Sequence, residues 1–210
     1  MPAVVAPVGQ CVIVQGVRWH TYICLLADFG DSSGTRIAYD QGTLEIMAPS
    51  FKHEQAADLL ADIVKVVAEA RSLDVVPAGS TTFKREDVER GFEPDASFYV
   101  QHAANIRGHT TIDLAVDPPP DIIIEIDLTH PSLDKFPIYA ALGVPEVWRY
   151  DGVQLQIYSR VDEAYTEVSV SAVLPDVTSA ALVQLVQLGL ELPRQMWISR
   201  VRAWAEAPTT

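Results

Sequence analysis

The sequence is poor in the residues and motifs that most directly reveal a chemistry. Only two cysteines, Cys11 and Cys24, occur in 210 residues. That is too few for a disulfide framework, and neither has a partner at metal-site spacing. Both border or sit in apolar stretches, so the expectation is two buried, unreactive thiols. His53, His102, His109 and His130 form no pair at a metal-ligand spacing such as His-Glu-x-x-His. A glycine-rich phosphate loop, a Gly-x-Ser-x-Gly elbow and a Cys-x-x-Cys pair are also missing. Their absence argues against zincin, P-loop, serine-hydrolase and dithiol chemistry.

Positive charge is scarce as well. Fifteen Lys and Arg against 28 Asp and Glu leave a formal net charge of −13 and a pI near 4.6. Non-specific binding to nucleic acid is mostly phosphate neutralisation, so this balance excludes a general coating or scanning protein. It leaves room for an enzyme with a locally basic cleft. No run reaches the ~18 apolar residues that a bilayer span requires, and MPAVVAPVGQCVIVQG lacks the basic region of a signal peptide. The expectation is a soluble protein of the reducing cytoplasm.

Hydrophobic residues make up 49% of the chain, enough for a substantial core. Residues 17–29 carry apolar groups at helical spacing and stop before Gly30. RIAYD and TLEIM alternate on either side of Gln41-Gly42, the pattern of a β-hairpin. The clearest helix runs from Ser50, a good N-cap, to Arg71. There Ala57, Leu60, Ala61, Val64, Val67 and Ala68 recur opposite Glu54, Asp58, Asp62, Lys65 and Glu69. LDVVPAG and STTF read as an interrupted strand.

KREDVERG, with Lys84, Arg85 and Arg90 interleaved with acids, reads as a solvated loop. ASFYV is a strand entered from Glu93-Pro94-Asp95, and DIIIEIDL is the most strand-like run in the chain. Pro131-Ser132 opens a short helix to about Leu142, stopped by Gly143, with Pro137 near its first turn. EVWRY and VQLQIYS flank Asp151-Gly152 as a second hairpin. AYTEVSV adds a strand, and two amphipathic helices close the chain. With no repeat and no linker, residues 1–210 read as a single α/β or α+β domain. Its core covers about 17–160, with a strand and helices over 161–210.

The chemistry centres on DIIIEIDL. In a strand, Asp121, Ile123, Glu125 and Asp127 share one face, while Ile122, Ile124, Ile126 and Leu128 share the other. Glu125 and Asp127 then lie about 7 Å apart. Burying two acids without a cation is costly, so either that face is open to water or something positive sits against it. Asp95 is either a turn residue at a strand entrance or, if the two strands are neighbours, a second acid converging with Glu125 on one cation. Glu54 is either a first-turn glutamate favoured by the helix dipole or a third member of that group. Oxygen ligands of this kind suit Mg²⁺ or Mn²⁺. Lys135 is either solvated or placed to orient a water beside such a metal.

Taken in order, YDQGTLEIMAPSFKHEQ, EPDASFYV, PPPDIIIEIDLTHPSLDKFPIYAALGVPEVWRYDG and the following hairpin resemble the Uma-type family. Its members are described as restriction endonucleases within the PD-(D/E)XK nuclease superfamily. The resemblance covers roughly residues 17 to 160, and Gly-Val-Pro-Glu-Val-Trp-Arg-Tyr after a Lys-x-x-x-Tyr helix is its most characteristic piece. It implies a restriction-endonuclease-like mixed β-sheet flanked by helices, with the metal site at one end. Asp95 matches the superfamily's first metal acid, Glu125 its second and Glu54 the acid often supplied by the preceding helix. The lysine expected two residues after the second acid is replaced by Asp127. Lys135 matches a lysine drawn from the following helix, which leaves Asp127 as a further metal ligand or a partner of Lys135.

The function so implied is Mg²⁺- or Mn²⁺-dependent endonucleolytic hydrolysis of DNA, with homodimerisation as an analogy. The alternatives are an inactive interaction module of the same fold and a phosphodiesterase acting on RNA or small nucleotides.

Overall fold

A computed structural model of the chain describes residues 10–30, 34–128 and 133–207. The chain runs through β1 (Cys11–Gln15), α1 (Trp19–Phe29), β2 (Arg36–Asp40), β3 (Thr43–Met47) and α2 (Phe51–Ala70). It continues through β4 (Val76–Pro77), β5 (Phe83–Arg85), β6 (Arg90–Phe92), β7 (Ala96–Tyr99), α3 (Ala103–Ile106) and β8 (Ile122–Ile126). The last elements are α4 (Phe136–Leu142), β9 (Glu146–Tyr150), β10 (Leu155–Val161), β11 (Ala164–Val168), α5 (Ser179–Glu191) and α6 (Arg194–Glu206).

The strands form two sheets flanked by helices. One has five antiparallel strands in the order β1-β3-β2-β6-β5; the other has six in the order β11-β10-β9-β8-β7-β4. Within the six-stranded sheet β8 and β9 are parallel, joined by the α4 crossover. No helix of the described residues is long and apolar enough to cross a membrane.

Strand β8 lies between two cores. Ile122, Ile124 and Ile126 pack with α2, α5 and α6 residues such as Leu60, Ile63, Leu182 and Trp197. From the other face, Ile123 joins Phe83, Phe92, Ile138, Tyr139 and Val147, which bring in the second sheet and α4. Each fully buried isoleucine contributes roughly 1.5–3 kcal/mol. Both faces of β8 are therefore covered, and Glu125 is buried with them.

Local signals explain most boundaries. Ser50 caps α2 by accepting from the His53 N–H, at 3.3 Å. Gln41 and Gly42 both take positive φ (43° and 105°), as a two-residue hairpin turn between β2 and β3 needs. Gly143 ends α4 in the left-handed conformation at φ 84°.

Four expectations change. KREDVERG is not a loop throughout, because β5 and β6 pair across a tight turn and Arg90 Nε donates to Asp40 at 2.7 Å. Helix α4 begins at Phe136 with Lys135 as its N-cap, which moves the lysine out of the helix body; Pro131 and Ser132, proposed as the helix start, lie outside the described residues. Both cysteines are exposed. The buried side of α1 is set by Tyr22, and Cys11 sits on the edge strand β1. Finally, β1 itself is a strand that the apolar N-terminal run did not announce.

Candidate metal and phosphodiesterase site

The pairing of β7 with β8 decides where the acids fall. Strand β7 enters its pairing with β8 at Ala96, opposite Ile124, which brings Asp95, the residue just ahead of β7, close to Glu125. Like charges at that proximity repel. The Asp95 N–H donates to the Ile124 carbonyl at 3.1 Å, and Asp95 Oδ2 accepts from the Ile126 N–H at 2.8 Å. These two bonds bracket Glu125 and fix the Asp95 carboxylate against it.

Cations surround the pair. Lys135, reaching in from the N-cap of α4, places Nζ 3.0 Å from Glu125 Oε2 and 3.5 Å from Glu45 Oε1. On the far side, His53 Nε2 stands 3.2 Å from Asp95 Oδ2 without hydrogen-bond alignment. Arg36 Nε is 3.7 Å from Asp95 Oδ1. Arg36 also donates to Glu54 at 3.4 Å, so Glu54 is tied to Asp95 through the guanidinium while its own side chain remains half-exposed. The Asp127 carboxylate takes Arg149, with Nε at 2.8 Å and a second guanidinium nitrogen at 2.6 Å. Among the described residues its partner is thus Arg149, and Lys135 is held by Glu125 and Glu45. Glu125, Asp127, Lys135, Phe136, Tyr139 and Arg149 line an open cavity of about 240 Å³.

Burial raises the Glu125 pKa and Asp95 adds to the rise, against the opposing pull of the Lys135 ammonium. For Lys135, burial disfavours the charge, but Glu125, Glu45 and Asp95 more than reverse this and hold it protonated. Burial and the neighbouring Glu125 together keep the Tyr139 phenol neutral. Burial also works against a charged His53 ring, and Asp95 tips the balance toward protonation.

The residues fit a divalent cation in one specific respect. Among the described residues Glu125 Oε1 is buried with no hydrogen-bond partner, an arrangement that costs free energy unless something positive meets it. Asp95 Oδ1 has no closer cation than Arg36 among the described residues. Among the described residues no three His, Cys, Asp or Glu side chains form a ready-made cage. A metal here would therefore take few protein ligands and keep several waters, as Mg²⁺ prefers.

Asp121, on the same strand face as Glu125 by alternation, lies at the opposite end of β8. It accepts from the Val100 and His102 N–H groups and meets the His102 ring at 2.6 Å, a structural tie away from the site. Reading the sequence alone misses Glu45, His53 and Arg36. His53 stands next to Glu54 on the helix that supplies an acid, and that adjacency is the one available signal.

Over residues 19–195 the sequence matches the Uma2 family, described as "Putative restriction endonuclease". The chain belongs to the Uma2 family. Among solved structures it is similar to a putative nuclease of the DUF820 group from Anabaena variabilis. The TM-score is 0.55 at 13% identity, over 81% of this chain and 99% of that one. At that identity the likeness is one of fold. No curated protein matches the chain in sequence. The Uma2 assignment covers α1 through the start of α6 and so includes every residue of the site.

Proposed function

We propose that this Uma2 protein is a metal-dependent endonuclease that hydrolyses phosphodiester bonds of DNA, with Asp95 and Glu125 as its metal ligands. The observation that carries this reading is the neighbouring pair Asp95 and Glu125, with a buried Glu125 oxygen that has no hydrogen-bond partner among the described residues and a buried lysine beside it. Mg²⁺ or Mn²⁺ bound there would polarise the scissile phosphate and acidify a water.

The protein's own groups do the positioning. The Ile126 N–H holds Asp95 Oδ2, so that Oδ1 stays available for ligation. Arg36 and His53 flank the Asp95 carboxylate and hold it in place. Lys135 directs the attacking water and offsets charge that develops on the phosphate. Arg149, on the cavity wall, is a second cation for a phosphate in a chain whose overall charge is −13. Glu54 acts through Arg36, and Asp127 holds Arg149 in position.

A second reading, a non-catalytic interaction module, draws on Asp127 standing where the superfamily carries lysine. One experiment separates the two. Wild type and Asp95→Asn are incubated with plasmid, linear and single-stranded DNA in Mg²⁺, Mn²⁺ or EDTA. Asparagine retains a carbonyl acceptor for the Ile126 N–H, so the variant should fold. The expected result is cleavage by wild type alone, abolished by EDTA. Turnover by Asp95→Asn equal to that of wild type sinks the ligand assignment. No cleavage, together with no rise in melting temperature with Mn²⁺, leaves the module.

A further inference from the structure

Glu45 has no role in the reading above, yet it is one of the most buried charged groups in the chain, at 2% exposure. It stands on β3, in the sheet that does not carry Asp95 and Glu125. A buried carboxylate stabilises a fold no better than a well-packed apolar side chain of similar size. Its significance therefore lies in what it contacts. Glu45 Oε2 accepts from the Leu133 N–H at 2.7 Å, and Oε1 lies 3.5 Å from Lys135 Nζ. One carboxylate thus fastens both the backbone just ahead of α4 and the ammonium carried by the N-cap of α4.

We propose that Glu45 is a positioning residue that keeps Lys135 beside Glu125 whether or not Glu125 is engaged by a cation. Lys135 is held from two sides, by Glu125 at 3.0 Å and by Glu45 at 3.5 Å. A divalent cation on Glu125 spends much of that carboxylate's charge and repels the ammonium. With Glu125 as its sole anchor, Lys135 would leave just when a water has to be directed. Glu45 is on the other sheet and takes no part in ligation, so its attraction persists. It also fixes the Leu133 backbone, which prevents the lysine from leaving by movement of its own segment. The catalytic consequence rests on the nuclease reading; the hold on Lys135 does not.

The chain has four lysines, and Lys52, Lys65 and Lys84 are exposed, so they serve as internal controls for amine modification. Reductive methylation of the intact protein, read by peptide mass spectrometry, is compared for wild type, Glu45→Gln and Glu45→Met, each in EDTA and in Mn²⁺. Glutamine keeps the Leu133 acceptor and removes only the charge. Methionine removes both holds and, being apolar and of similar size, should leave a folded protein.

In wild type Lys135 should stay protected in both conditions. In both variants it should react about tenfold faster or more, with the largest gain in Mn²⁺. With DNA, kcat should fall about 10- to 100-fold while KM stays within about twofold. Lys135 protection unchanged in both variants overturns the proposal, as does a raised KM with kcat intact. If wild type cleaves nothing, the nuclease reading fails, and the methylation comparison still decides whether Glu45 holds Lys135.

Discussion

Replacing Lys135 by Met removes the charge and leaves the side-chain volume nearly unchanged. Its effect can be worked from the contacts. The Lys135 side chain is 11% exposed, against 6% for Glu125 and 2% for Glu45. At 3.0 Å and an effective dielectric of about 20, the Glu125 pair alone is worth about 5 kcal/mol of gross attraction. Desolvation of the ammonium offsets much of this, and the substitution lifts that cost. What remains is the penalty of leaving Glu125 and Glu45 buried without their cation, about 3–5 kcal/mol. For a chain of this length the melting temperature should fall by roughly 6–20 °C.

The sign with pH follows from Glu125. Burial and Asp95 hold its pKa above the unfolded value, and removing Lys135 raises it further. A carboxyl raised in the folded state favours folding most below its unfolded pKa and loses that advantage as pH rises through the folded value. The deficit of Lys135→Met relative to wild type should therefore be largest near pH 8 and shrink toward pH 5. Urea unfolding of both proteins in EDTA, at several pH values, measures it. The double variant Lys135→Met, Glu125→Gln should recover most of the loss, and the cycle gives the coupling directly. A deficit below about 1 kcal/mol, or one that grows toward pH 5, would refute the reasoning.

Two further substitutions probe the support of the site. Glu146 is buried and accepts from Trp148 Nε1 (2.6 Å), the Ser171 hydroxyl (2.5 Å) and the Ala172 N–H (2.7 Å), which ties the start of β9 to the loop before α5. Glu146→Gln turns an amide N–H₂ toward either the Trp148 Nε1–H or the Ala172 N–H, neither of which can accept, so chemical denaturation should show a loss of about 2–4 kcal/mol; a neutral result would mean the loop holds itself. Gly189 lies inside α5, where alanine would gain about 1 kcal/mol of helix propensity. An added Cβ, however, would stand 2.6 Å from Leu59 and 2.9 Å from the Trp197 indole, and both belong to the core over β8. Overpacking of that kind costs roughly 1–3 kcal/mol, so Gly189→Ala should lower the melting temperature, and a rise would show that the ring can move aside.

The elements that sequence made legible share one property: a side-chain period long enough to be read against one environment. Helix α2 carries its apolar stripe for 20 residues under a serine cap. Strands β2, β3, β9 and β10 alternate on either side of recognisable turns. The hairpin of β5 and β6 fails that test, since each strand has three residues and half of the six are charged. Glu45 is hidden for the opposite reason. In TLEIM the alternation is clear, and a polar residue on it reads as solvent-facing. Only the packing of the five-stranded sheet against α4 and β8 turns that position inward. His53 likewise has no spacing partner because Asp95 reaches it through the tertiary fold.

The position of Lys135 shows why the candidate site was legible although the lysine two residues after Glu125 is missing. The position two residues after Glu125 faces the same way, and a lysine there would neutralise the acid from its own strand. Here that position is Asp127, which by itself would add a third negative charge to the face. The fold answers with Arg149 from the neighbouring parallel strand, whose Cα partner is Glu125. Lys135, from the N-cap of α4, fills the vacated electrostatic role at 3.0 Å from Glu125. Arg36 and His53 do the same for Asp95. The constraint that survives is the need for the crowded carboxylates of this face to meet cations, because an unpaired one costs several kcal/mol. A spacing rule records one way of satisfying it, whereas the charge requirement admits any residue that the topology can deliver. Glu125 Oε1, buried and without a partner among the described residues, is therefore the place to test for a bound cation.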